Sequence, residues 1–194
     1  PFQNEDMNIL LNKKTKKVQK KHEVAMVGLL SMAPTPYGAV LALGHQHTMR
    51  YTNPNGSAVY THLAQGIHLV AIGEDADVRW VRNIRRNDVA PSGDDLMHLA
   101  LFTHNNEVCL AKSEGSKYPQ SYDIADEAKE FEVGEAKGNM VLYRIMEEGD
   151  IDKTILEKKS SHVLAASALR RDGSVVLLTL DGKKSRMVEL RFEE

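Results

Sequence analysis

Eight histidines occur in 194 residues, and six of them, His45, His47, His62, His68, His98 and His104, fall within a single stretch of 60. On a β-strand His45 and His47 project from the same face, the spacing a His-x-His metal pair needs. A third ligand would have to come from His62 or His68 on a neighbouring strand, because Thr48-Met49-Arg50-Tyr51 carries no acid. His45 and His47 are therefore the candidate metal ligands, but the expectation is no metal and no other cofactor. Nucleophilic chemistry has less to work with. The only cysteine, Cys109, sits in the apolar run Glu107-Val108-Cys109-Leu110-Ala111, where burial would raise its pKa and make the thiol inert. The acid pairs Asp94-Asp95, Glu147-Glu148 and Glu193-Glu194 are sequence neighbours, so on strands their members face opposite sides and cannot share a proton. No Gly-x-Ser-x-Gly, phosphate loop or dinucleotide fingerprint is present. The sequence does not point to an enzyme.

Cations offer a different chemistry. Residues 1–22 hold six lysines against Glu5 and Asp6, a charge of +4, which leaves the remainder at −6 and the whole chain at −2. A helix over 9–22 would gather Lys13, Lys14, Lys17, Lys20 and Lys21 on one face, where they suit phosphate. A solvated arm is the alternative. Arg82, Arg85 and Arg86 follow one another closely before Pro91-Ser92-Gly93, and are expected in a loop from Arg82 to Asp95. Lys137, Arg170, Arg171, Lys183 and Lys184 complete the candidate phosphate contacts, several of them at turns. Trp80, between Arg79 and Arg82, could stack on a base or belong to the core.

What would position these residues is mainly β. Eleven short apolar runs, from GAVLALG at 38–44 to SRMVELRF at 185–192, are separated by turn pairs such as Asn105-Asn106, Asp172-Gly173 and Asp181-Gly182. EVAMVGLLSM at 24–33 reads as strand or buried helix, and Asp123–Phe131 as a short helix in an acidic stretch. Pro34 and Pro36 mark a hinge between a basic arm, residues 1–35, and one all-β domain, residues 36–194. No run approaches the about 18 apolar residues of a membrane span, and acids stand where a secretory leader would be basic, so no membrane partner is expected. One cysteine excludes an internal disulfide framework and favours a reducing compartment, the cytoplasm or the inside of a virion.

A unit recurs: an apolar strand, a polar turn, then a strand ending in a basic residue. It reads HLVAIGEDADVRWVR at 68–82, HLALFTHNNEVCLAK at 98–112 and VVLLTLDGKKSRMVELR at 175–191, with a looser copy, AVLALGHQHTMRYTN, at 39–53. Repeated hairpins imply blades about one axis, with a β-sandwich or barrel as the alternative. The order LALFTHNNEVCLAK (99–112), Ala136-Lys137-Gly138, NMVLYRIMEEGD (139–150) and VLAASALRRDG (163–173) resembles blades of the C-terminal β-pinwheel of DNA gyrase A and topoisomerase IV subunits. The resemblance covers about half the chain. It implies a pinwheel that contacts DNA without cutting it. The glutamine-arginine-glycine box used for wrapping is missing, and so is the catalytic tyrosine region. Two functions follow as expectations, ahead of a third and less favoured one, a metal-dependent enzyme built on His45 and His47. One is a non-catalytic module holding nucleic-acid phosphates through its lysines and arginines. The other is a structural subunit of a multi-copy assembly such as a virion, whose arm locks onto copies of itself or other subunits.

Overall fold

The computed structural model describes residues 27–90, 97–115, 131–132, 138–160, 163–169, 174–181 and 184–192. It is mainly β, and among the described residues there is no α-helix. Three consecutive meanders form three sheets. The first runs β1 (Val27–Thr35), β2 (Gly38–Thr52), β3 (Ala58–Gly73) and β4 (Val78–Ala90), all antiparallel, with the two-residue β7 (Phe131–Glu132) added in parallel at the β4 edge. The second is β5 (Leu99–His104), β6 (Glu107–Gly115), β8 (Gly138–Ile145) and β9 (Ile151–Ser160). The third is β10 (Val163–Leu169), β11 (Val175–Asp181) and β12 (Lys184–Leu190). The sheets do not close into a barrel, since each is an open ladder with two edges.

The hairpins form where turn chemistry meets apolar runs. Asn105 and Asn106 adopt φ of +46° and +65° between β5 and β6, the left-handed pair a two-residue hairpin turn requires. Asn53 accepts from the Gly56 amide at 2.8 Å to close the β2–β3 turn. At Gly38 (φ +142°) a Cβ would lie 2.0 Å from the Ile72 carbonyl oxygen, so only glycine lets β2 leave the Pro36-Tyr37 turn against β3.

The sheets stack face to face with the second in the middle. One core cluster joins Val40, Ala42, Leu69 and Ile84 of the first sheet to Leu101, Leu110, Val141 and Ile145 of the second. The opposite face of the second sheet, Ala100, Phe102, Cys109 and Leu142, packs on Leu164, Val175 and Leu177 of the third. A smaller cluster at Met97 brings Ala64 and Ala90 against Val163. The leading strands β1, β5 and β10 are neighbours in turn, as in blades sharing an inner edge, and the Thr103 hydroxyl donates to the Pro34 carbonyl to tie β5 to β1.

Several sequence expectations change. The runs at 38–44 and 47–52 are one strand, β2, and those at 57–63 and 67–73 are one strand, β3. Bulges at Leu43/His45 and Gln65/Ile67 absorb what reads as a break. A Cβ at Gly44 would stand 2.9 Å from the Gly66 carbonyl oxygen and 2.7 Å from Leu30 Cδ1, so the bulge is a close crossing of backbones. The looser hairpin copy at 39–53 is consequently no hairpin. Residues 27–35 are β1, paired with β2, so the stretch expected as arm and hinge belongs to the first sheet, and Pro34 sits where proline is tolerated, on an edge strand. The loop expected from Arg82 is β4 as far as Ala90. Residues 1–26, with the expected helical arm, and residues 123–130 of the expected acidic helix lie outside the described residues, while Phe131 is in β7.

Candidate interaction surface

The arginines expected to face phosphate are engaged by the protein itself. Arg82 donates from Nε to the Gly149 carbonyl at 2.9 Å and from Nη2 to the Glu148 carbonyl at 3.1 Å, while Trp80 Nε1 donates to the Glu147 carbonyl at 2.6 Å. Together they clamp the turn between β8 and β9 and fasten the second sheet to the first. Trp80, half-buried against the first core cluster, is a packing residue. Arg86 is 2% exposed, with Nε 2.6 Å from Asp88 Oδ2 and Nη2 donating to the Met97 carbonyl. Arg85 is buried too. Neither Arg85 nor Arg86 presents a guanidinium to solvent, because the bulge opposite Gln65 and Ile67 turns this end of β4 into the protein. Lys184 is exposed on β12. Lys13, Lys14, Lys17, Lys20, Lys21, Lys137, Arg170, Arg171 and Lys183 lie outside the described residues.

A second buried polar group was not legible as a site. Glu114 accepts from the Tyr143 hydroxyl at 2.7 Å, contacts Lys153 Nζ, and lies 3.9 Å from Lys112 Nζ, with Glu114 and Lys112 each 1% exposed. Register explains the convergence: Lys112 and Glu114 are two apart on β6, and Tyr143 and Lys153 are partners across β8 and β9, all on the face toward the first sheet. Burial pushes the Lys112 ammonium below its ordinary pKa, opposed by Asp88 and Glu114, and pushes the Tyr143 hydroxyl well above its own. The signal in sequence was a cation and an anion at i, i+2 on one strand, Lys112 with Glu114 here and Arg86 with Asp88 on β4.

His45 and His47 share β2, but His45 is buried at the bulge, its ring edge-on to His68 at 6.2 Å. His68 Nδ1 lies 2.8 Å from Asn83 Oδ1, and His62 Nδ1 is 3.0 Å from the Thr48 hydroxyl. Burial first, then the neighbouring His68 and His47, pulls His45 down to about 4, and burial lowers His47 as well. Among the described residues no group of three His, Cys, Asp or Glu is placed to hold a metal. Cys109 is 1% exposed and burial pushes its thiol up to about 12. It borders a cleft of about 450 Å³ between the second and third sheets, where Glu107 is held by Arg144 at 2.6 Å and His104 stacks on Phe192 at 3.9 Å. A thiolate is disfavoured there, and Glu107, the one carboxylate among the described lining residues, is paired with arginine.

The outer face of the first sheet stands apart. Cross-strand partners share a face, so register assigns three rows to it: Pro34, Ala39, Ile72 and Val78; Met32, Leu41, Val70 and Val81; Leu29, Leu43, His68 and Asn83. None of the twelve is Asp, Glu, Lys or Arg. Leu29, Met32 and Val78 are 61%, 58% and 58% exposed. Leu41, Leu43, Ile72 and Val81 are half-buried, Val70 and His68 are 2% and 1% exposed, and no core cluster among the described residues lies on these rows.

The architecture defines a class, an all-β protein of open antiparallel meanders stacked as blades. No family model, no curated protein and no solved structure matches the chain.

Proposed function

We propose that this chain is a non-catalytic structural subunit of a multi-copy assembly, and that it meets its neighbours through the outer face of the β1–β4 sheet. One observation carries the reading: on the outer face of this sheet Leu29, Met32 and Val78 stand 61%, 58% and 58% exposed along uncharged rows, beside the buried Val70 and His68. An antiparallel sheet with one wet face ordinarily alternates apolar and polar residues, and near-continuous apolar runs belong to strands buried on both sides. The second sheet is the internal comparison. Its runs LALF and NMVLY resemble GAVLAL and HLVAI of the first, and both of its faces are buried, in separate clusters. Among the described residues the first sheet has the sequence of a middle layer in the position of an end layer. Sedimentation velocity of the full chain over a range of concentrations tests this, with species heavier than the monomer expected and a monomer at every concentration counting against it.

A second reading keeps the nucleic-acid phosphate backbone as partner. It draws support from Lys158, Lys159, Lys184 and Arg186, exposed on β9 and β12, with Arg186 3.9 Å from Glu157 across the two sheets. The lysines of residues 1–22 and the resemblance to gyrase blades favour it as well. Duplex DNA titrated at several salt concentrations tests it: steep loss of binding with salt is expected, and no binding at low salt rejects it.

A further inference from the structure

We propose that the cleft between the second and third sheets binds a small organic carboxylate with an apolar body. The inference stands apart from the assembly reading and uses none of its surface. The cleft holds about 450 Å³, within the size range of small-molecule sites. Leu142 of β8 and Leu190 of β12 line it from the cluster that joins the two sheets, and Leu156 of β9, 38% exposed, carries the apolar lining out to solvent. Phe192 pins one wall, stacked on His104 at 3.9 Å and edge-on to Phe102 at 6.1 Å.

Charge selects the occupant. The described lining holds two guanidiniums, Arg144 and Arg191, and one carboxylate, Glu107, an excess of one cation before His104 is counted. Both arginines are gripped alike. Nε and Nη2 of Arg144 donate to Glu107 Oε2 at 2.8 and 2.6 Å, and those of Arg191 donate to Glu189 Oε2 at 3.0 and 2.7 Å. The grip fixes each guanidinium plane and leaves its Nη1 donors without a hydrogen-bond partner among the described residues. A ligand carboxylate can accept from those donors while its apolar body lies on Leu142, Leu156 and Leu190. An ammonium of the same shape meets only Glu107, which Arg144 already holds.

The smaller cleft of about 320 Å³ beside Met97 and His98 makes the contrast. No Asp, Glu, Lys or Arg stands in its described lining, so nothing there chooses between ligands of opposite charge.

Isothermal titration calorimetry of the full chain with octanoate and with octylammonium tests the site. The variants are Arg144→Gln, Arg191→Gln, Leu156→Glu and Arg79→Gln, each verified as folded by circular dichroism. Arg79, paired with Asp75 on the first sheet outside the cleft, is the control. Expected is octanoate binding with a dissociation constant of about 1 mM or below, and octylammonium binding at least about 10-fold weaker. Removing either cleft arginine should weaken octanoate about 10-fold, Leu156→Glu should abolish its binding, and Arg79→Gln should leave it unchanged. No heat from octanoate at about 10 mM, equal binding of octylammonium, or octanoate binding untouched by Leu156→Glu or by both cleft-arginine variants would each overturn the proposal.

Discussion

Replacing Glu114 by glutamine removes one charge from the buried contact between the first and second sheets and changes almost nothing in shape. In the native protein the carboxylate meets Lys153 Nζ, lies 3.9 Å from Lys112 Nζ and accepts the Tyr143 hydroxyl at 2.7 Å, while the side chains of Lys112 and Lys153 are 1% and 7% exposed. An amide can still accept from Tyr143 but cannot balance two ammonium groups that water barely reaches. Deleting one partner of a buried pair costs about 3–5 kcal/mol, which for a chain of this size lowers Tm by roughly 6–20 °C. Tyr143→Phe, which keeps the charges and loses one hydrogen bond to a carboxylate, should cost about 1.5–3 kcal/mol. Arg144→Gln breaks a partly exposed pair with Glu107 and should cost at most about 1 kcal/mol. Urea titration followed by circular dichroism gives the three values from midpoints at constant slope. A Glu114→Gln protein within 1 kcal/mol of wild type would mean that the lysines are solvated and the reasoning from burial fails.

Stability should fall in acid because of His45. Its folded pKa of about 4 lies below the about 6.5 of an unfolded histidine, so between these values the unfolded chain binds the proton and the folded chain does not. The stabilisation is complete above pH about 6.5 and is lost as pH falls toward 4, about 3 kcal/mol in all, and His45→Gln should flatten the urea midpoint over that window. Gly38→Ala should destabilise by more than about 2 kcal/mol, since the new methyl meets the Ile72 carbonyl, and an unchanged thermal midpoint would contradict the close approach. Gly149→Ala, at φ +85° with Trp80 Cδ2 2.9 Å from the added Cβ, should loosen the turn clamped by Trp80 and Arg82 and shift the Trp80 fluorescence; an unaltered spectrum would refute the clamp. Cys109 should resist a thiol reagent until the protein unfolds, and fast labelling of the native protein would show that the cleft admits it.

Much of the β architecture was legible because turn residues and apolar runs are local signals. The hairpins β3–β4, β5–β6 and β11–β12 fall on the three close copies of the repeated unit. The breaks read at 45–46 and 64–66 were not turns, because Gly44 and Gly66 bring backbones together across a bulge, and only the partner strand reveals that. β9 has no apolar run to mark it, since Ile151–Ser160 scatters Ile151, Ile155 and Leu156 among five charged residues, as suits an edge strand. Charge misled most. In sequence Arg85 and Arg86 read as solvent-facing cations, whereas Asp88 and the Met97 carbonyl hold Arg86 inside. The two-faced apolar runs of the first sheet were present in the sequence, but which of their residues stay exposed, Leu29, Met32 and Val78 among them, is a fact of the third dimension.

Three exposed methionines, Met32 at 58%, Met146 at 41% and Met187 at 76%, report on the central claim without any mutation. Brief peroxide oxidation of the wild-type chain, dilute and concentrated, followed by peptide mass spectrometry, reads each site separately. Protection of Met32 that grows with concentration, while Met146 and Met187 oxidise at unchanged rates, is the result expected if the outer face of the first sheet is where copies meet. Met32 oxidising equally fast at every concentration would contradict it.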